Sequence, residues 1–185
     1  FSVVYNGVDL VEYNPDGAHE RPADRSRILL VEGSLGGGYE MGLDSAVGLA
    51  ERLINSYSRK AEVMVIGRVS QVLKAAWSGR TQVPLVFAGM VPRQDIPFID
   101  RSAHLLYAAD IHPACPNSTV EALACGLPVV TRPGEFMRGR QSAGMLSLLD
   151  VPELVVDSNE AYVETALRVG RDRAWRGALR TRIAE

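Results

Sequence analysis

The feature of this sequence that most restricts its fold is an alternation of two periodicities. Short β-rich runs at residues 28–32, 63–66, 85–88, 110–113, 129–131 and 154–156 are separated by stretches with apolar residues at helical spacing. Leu43, Val47, Ala50, Leu53 and Ile54 form the clearest such stripe, with polar residues on the opposite face. A strand that is apolar along its length must be covered on both faces, and parallel strands joined by helical crossovers supply that cover. The expectation is an α/β fold, a doubly wound parallel sheet between two layers of helices. Ligands of such sheets sit beyond the strand C-termini. That rule singles out residues 33–38, 67–68, 89–93, 114–119 and 132–140.

Composition fits this reading and removes other function classes. A chain of 185 residues with 46% hydrophobic and 23% charged residues can bury one sizeable core. The formal charge of -2 and pI near 6.0 give no overall field for nucleic acid or an anionic membrane. Cys115 and Cys125 are the only cysteines, too few for a disulfide framework, and no histidine stands at zinc-ligand spacing. Both are expected to be reduced thiols in a cytoplasmic protein. No apolar run reaches the roughly 20 residues of a membrane span, and the first ten residues lack the pattern of a signal peptide. The chain begins without Met. It is expected to be a fragment, whose absent segments would carry any contact with the inner face of a membrane. Residues 13–27, rich in Pro, Asp, Arg and Gly, read as a surface linker, so 1–27 is expected to be an interdomain passage and 28–185 the binding domain.

The chemistry concentrates in residues 115–130, CPNSTVEALACGLPVV. Pro116, Asn117 and Ser118 make a turn with cap-forming side chains, and a helix is expected from about Thr119. Its free backbone N–H groups and positive dipole end would face the ligand edge, where a phosphate is favoured. Glu121 falls in the first turn and could accept hydrogen bonds from both hydroxyls of a ribose. Gly126 would close the helix. By spacing alone, an ordinary capped helix whose Glu121 serves only the dipole accounts for the same residues.

Other residues gather at the same sheet edge. Gly36 and Gly37 belong to a cluster whose backbone amides could approach an anion closely, although the third glycine of a dinucleotide fingerprint is replaced by Met41. Arg132, Arg138 and Arg140 follow the strand at 129–131 and suit phosphate oxygens, or are ordinary surface arginines. Arg68 has a similar but weaker case. Val91 could read a nucleobase edge through its backbone, and Arg93 could stack on the ring. His112 and Glu135 lie at the same edge. The arginines at 168, 171, 173, 176 and 180 read as solvated helix surface.

The stretch EALACGLPVV at 121–130 resembles the donor-site signature of the retaining, GT-B-fold glycosyltransferases of the glycogen-synthase-like group, family 4. Residues 4–9 resemble the segment by which those enzymes enter their second domain. Residues 84–91 and 106–110 resemble their nucleotide-base strand and the helix after it. The resemblance runs to about Thr131; from there to Arg138, and around Tyr162 and Trp175, the sequence looks more like the end of O-GlcNAc-transferase-like GT-B enzymes. It implies one half of a GT-B fold, Rossmann-like, that takes a UDP- or GDP-linked sugar as substrate with no further cofactor and no metal. Glu121 would hold the ribose, and Asn117, Ser118 and Thr119 the diphosphate. An acceptor-binding N-terminal domain, absent here, would complete the enzyme.

Two departures stand out. The family 4 pattern has an acidic residue where this chain has Pro113, and it has an Arg and a Lys where the glycine cluster has neither. No catalytic residue is assigned, and this domain alone is expected to bind without turning over. A non-catalytic nucleotide-binding module on the same scaffold stays open. So does an NADP-dependent oxidoreductase domain, although Gly67 and Arg68 stand where an acidic ribose ligand would be expected.

Overall fold

The computed structural model describes residues 7–35, 41–108, 117–135 and 137–184. Five strands, β1 (Ser26–Leu35), β2 (Ala61–Val69), β3 (Leu85–Gly89), β4 (Leu105–Ala108) and β5 (Val129–Thr131), form one parallel sheet in the order β3-β2-β1-β4-β5. The chain winds outward from β1 in one direction and then, from β4, in the other. The reversal lies between β1 and β4, which is the switch point where such sheets bind ligands. The sheet is doubly wound, as its pattern of apolar runs requires.

Among the described residues the helices are α1 (Met41–Tyr57), α2 (Gln71–Arg80), α3 (Ile96–Ser102), α4 (Asn117–Ala124), α5 (Gln141–Leu148), α6 (Asn159–Arg171) and α7 (Arg173–Ala184). The expected stripe of α1 is buried at Leu43, Val47, Ala50 and Leu53. The helix α1 packs on β1, β2 and β4, and α4 packs on β4 and β5. The helix α6 packs on α1, β4 and β5, whereas α3 and α7 pack on α4. Next to α1 lies the end of α2, held by Thr81 Oγ1 donating to Glu51 (2.6 Å) and by an Arg80–Asp44 ion pair (3.0 Å).

One strand expectation, at 110–113, lies outside the described residues, and another needs correction. The strand β4 makes residues 105–108 extended, where the resemblance implied a helix over 106–110. Leu105 and Leu106 are buried, with β1 and β5 on either side. A run this short gains more from two ladders than from a single helical turn. The run at 154–156 is not a strand. Pro152–Leu154 is a 3-10 turn, and only Val155 bridges to Thr131, with the Val156 N–H donating to the Thr131 carbonyl at 2.9 Å. Pro152 has no N–H to extend the ladder.

The segment read as a linker is tightly held. Tyr13 is 0% exposed. Arg101 of α3 donates to the carbonyls of Asn14 (3.1 Å) and Ala18 (3.2 Å), and Arg21 donates to the Arg101 carbonyl (2.6 Å). Nor are all the late arginines solvated surface. Arg176 is half-buried and donates to the carbonyls of Val169 and Gly170, and Arg168 stacks on Trp175 with 4.1 Å to the ring centroid. Their guanidinium donors cap the end of α6 and cover an aromatic face.

Candidate nucleotide-binding site

The helix α4 follows β4 and so begins at the C-terminal edge of the sheet, beside the switch point. Its end is fixed by Gly126, in the left-handed region at φ +67°. The Leu127 N–H reaches the Ala122 carbonyl (2.8 Å) and the Gly126 N–H the Leu123 carbonyl (2.9 Å), the pair of bonds that terminates a helix at a C′ glycine. The chain then drops directly into β5. This closure leaves the other end of α4 aimed at the ligand edge.

The helix already includes Asn117 and Ser118, two residues earlier than the sequence suggested, so these are first-turn residues, and Glu121, expected in the first turn, falls in the second. Asn117 is exposed and Ser118 half-buried. Thr119 is 1% exposed, and its hydroxyl lies 3.1 Å from Ser142 Oγ of α5. Its side chain therefore ties α4 to α5. What Thr119 can offer a ligand is backbone.

Glu121 is half-buried. Burial pushes its carboxyl above the ordinary glutamate range, the Arg93 guanidinium and a hydrogen bond with Tyr13 hold it back, and Glu12 adds to the rise. Arg93 is exposed, opens the 3-10 turn Arg93–Asp95 after β3, and lies 3.9 Å from Glu12. Val91 is half-buried against the core. The Tyr13 hydroxyl is 3.4 Å from the Arg93 carbonyl oxygen. Burial first, and then the charge of Glu121, raise its phenol pKa. Four residues from three distant parts of the chain thus meet: Glu12 and Tyr13, Arg93, and Glu121.

Behind them lies a carboxyl that sequence reasoning missed. Asp100 of α3 is 2% exposed, and its Oδ2 has no hydrogen-bond partner. Burial first, and then the charge of Glu121, push its pKa up to about 8 against the opposing charge of Arg101. At neutral pH Asp100 is mostly protonated, which spares the interior a second negative charge beside Glu121. Tyr13 was also missed. The only signal for it was an aromatic residue inside an otherwise polar segment.

The remaining expected residues are dispersed. Gly36, Gly37, His112, Pro113 and Cys115 lie outside the described residues, as does the side chain of Arg138. Arg140 is exposed and donates to the Gly134 carbonyl (2.9 Å), bracing its own loop; Arg132 donates to Asn159 (2.8 Å). Glu135 is exposed. Arg68 lines a separate cavity with Lys74. Cys125 is buried and unpaired, and burial pushes its thiol up to about 12, so it is an unreactive core thiol.

Known proteins share this framework. The O-GlcNAc transferase of Thermobaculum terrenum superposes with a TM-score of 0.69 at 24% identity, over 93% of this chain and 34% of that one. WaaG, a glycosyltransferase involved in lipopolysaccharide biosynthesis, gives 0.69 at 18% over 88% and 42%. The E. coli protein titled trehalose-6-phosphate, bound with UDP-2-fluoro glucose, gives 0.67 at 16% over 96% and 46%. The fold is that of a GT-B glycosyltransferase domain. Residues 101–185 match the model of glycosyl transferase family 41. A stretch of 73 residues is 34% identical to the UDP-N-acetylglucosamine--peptide N-acetylglucosaminyltransferase of Caenorhabditis elegans, covering 38% of this chain and 6% of that protein. The family 41 match takes in α4 and Glu121 as well as the tail, so it includes the motif likened above to family 4. This GT-B-like domain spans about a third of the first solved relative and a small part of the curated one. Among the described residues no helix is long and apolar enough to cross a membrane.

Proposed function

We propose that this chain is the donor-binding domain of a glycosyltransferase that moves a sugar from a nucleotide diphosphate to an acceptor held by another domain. Glu121 receives the two ribose hydroxyls. The first turn of α4, through the amides around Ser118 and Thr119, receives the diphosphate, and Arg93 with the Val91 backbone receives the base. The observation that carries this reading is the electrostatic coupling of Glu121 to Arg93. A half-buried carboxylate on α4 feels the charge of a cation from the segment after β3, as a nucleoside running from base to ribose would require.

Chemically, such a site favours departure of the nucleoside diphosphate. Charge that develops on the leaving phosphate is stabilised by helix-end amides already oriented toward it. The relatives support the substrate class, since one bears the name of a UDP-N-acetylglucosamine transferase and another a title with UDP-2-fluoro glucose bound. UDP is therefore the first nucleotide to test. Acceptor binding and the reacting groups belong to the rest of the enzyme.

Calorimetric titration with UDP, GDP and NADP tests the reading. A nucleoside diphosphate should bind, and Glu121→Ala should weaken it by about tenfold or more, because hydrogen bonds to a charged group contribute roughly 1.5–3 kcal/mol. A preference for NADP would replace this reading with a dinucleotide-dependent one.

A further inference from the structure

A cavity of about 460 Å³ opens at the C-terminal ends of β1, β2 and β3, bounded among others by Leu35, Gly67, Arg68, Ser70, Lys74 and Met90. Neither Glu121 nor Arg93 lines it. Two cations reach it from different elements, Arg68 from the end of β2 and Lys74 from α2. Lys74 is half-buried, with its Nζ 5.7 Å from the centroid of the Phe87 ring, so its stem lies along the sheet and its charge stands at the cavity. Among the described residues, no carboxylate pairs with either cation. The neighbouring acid, Glu32, is raised by burial alone, with no offset from Arg68 or Lys74.

Two more features fit an anion. Ser70 Oγ accepts the Leu73 N–H at 3.1 Å as the cap of α2, which leaves its own O–H free to donate. Gly67, at φ +136°, passes so close to β1 that a Cβ would stand 1.7 Å from the Glu32 carbonyl oxygen, and it exposes bare backbone to the cavity. The wall thus carries a guanidinium, an ammonium and a hydroxyl donor, with no acid among the described lining residues.

We propose that this cavity is a second anion site, which takes a phosphate dianion through Arg68, Lys74 and the Ser70 hydroxyl, separately from the donor diphosphate at α4. Two positive charges match a dianion, and the guanidinium fork with the ammonium and hydroxyl can engage all of its free oxygens. The phosphate is either free inorganic phosphate or the end group of a phosphate ester.

The test is titration of the chain with inorganic phosphate and with methyl phosphate, followed by backbone amide NMR shifts, in the presence and absence of UDP. Amides of residues 67–74 and of Gly89 should shift saturably. The double variant Arg68→Gln/Lys74→Gln should bind phosphate about tenfold more weakly or worse, whereas the charge-preserving pair Arg68→Lys/Lys74→Arg should retain most of the affinity. UDP should neither displace the phosphate nor lose affinity in the Gln variant. Tighter binding of methyl phosphate would support an ester as the source, and tighter inorganic phosphate the free ion. Absence of shifts at these amides, equal binding by the Gln variant, or displacement by UDP would overturn the proposal. A chain that binds phosphate here and no UDP would uphold this site while refuting the donor reading.

Discussion

The buried Tyr13 hydroxyl lies 3.4 Å from the carbonyl oxygen of Arg93, eighty positions later in the chain. It also couples electrostatically to Glu121, so one phenol links the segment before β1 to both the base side and the ribose side of the proposed site. Tyr13→Phe keeps the packing and removes the link. The expected result is a loss of about 1 kcal/mol in unfolding free energy by urea titration, and a few-fold weaker UDP affinity by calorimetry. Unchanged UDP affinity would remove Tyr13 from the site.

Asp100 and His104 set opposing pH dependences. The folded chain holds Asp100 protonated up to about 8, so its contribution to stability is full below the unfolded value near 3.8 and is lost as pH rises through 8. His104 accepts the Arg27 N–H at Nδ1 (3.1 Å); burial first, and then the charges of Arg21, Arg176 and Arg27, lower it to about 4. Its contribution is full above the unfolded value near 6.5 and is lost as pH falls through 4. From pH 4 to 6.5 the two slopes oppose and stability should change little. From 6.5 to 8 it should fall, by on the order of 2 kcal/mol. Asp100→Asn should abolish most of the fall above 6.5, as read by denaturant midpoints across pH. A decline that persists in Asp100→Asn would assign it to other groups.

Two glycines should respond differently to alanine. At Gly67 the added Cβ meets the Glu32 carbonyl oxygen at 1.7 Å, a backbone collision that no side-chain rotation relieves. At Gly126, φ +67°, it meets Pro15 Cβ at 3.2 Å and the flexible Arg180 side chain at 3.3 Å. Gly126→Ala should cost about 1–2 kcal/mol, mainly for the left-handed backbone, and Gly67→Ala about 3 kcal/mol or more. Thermal unfolding of both variants checks the order; equal losses would contradict it.

How much of this was legible in the sequence varies by element. The sheet was legible because β1, β2 and β5 are apolar runs largely buried by parallel packing, and the half-exposed edge strand β3 is apolar as well. The position of β4 was not. Residues 105–108 are a four-residue run that local pattern does not separate from the start of a helix, and pairing with β1 and β5 makes them a strand. Glu121 was readable because its helix start, its dipole and its closing Gly126 are all local. Tyr13 and Asp100 act through contacts far away in sequence, which no local pattern reports. Thr119 shows the limit from the other side: its position in the helix was anticipated, but its partner, Ser142, depends on how α5 packs.

The account depends on the Glu121 carboxylate gripping a ribose, and a double comparison tests that contact directly. UDP and 2′-deoxy-UDP are titrated against the native chain and against Glu121→Ala. The native chain should bind UDP roughly five- to tenfold more tightly than the deoxy form, and Glu121→Ala should bind the two equally, because the lost hydroxyl has no acceptor left to miss. If both proteins discriminate by the same factor, Glu121 does not touch the ribose and the proposed site is wrong.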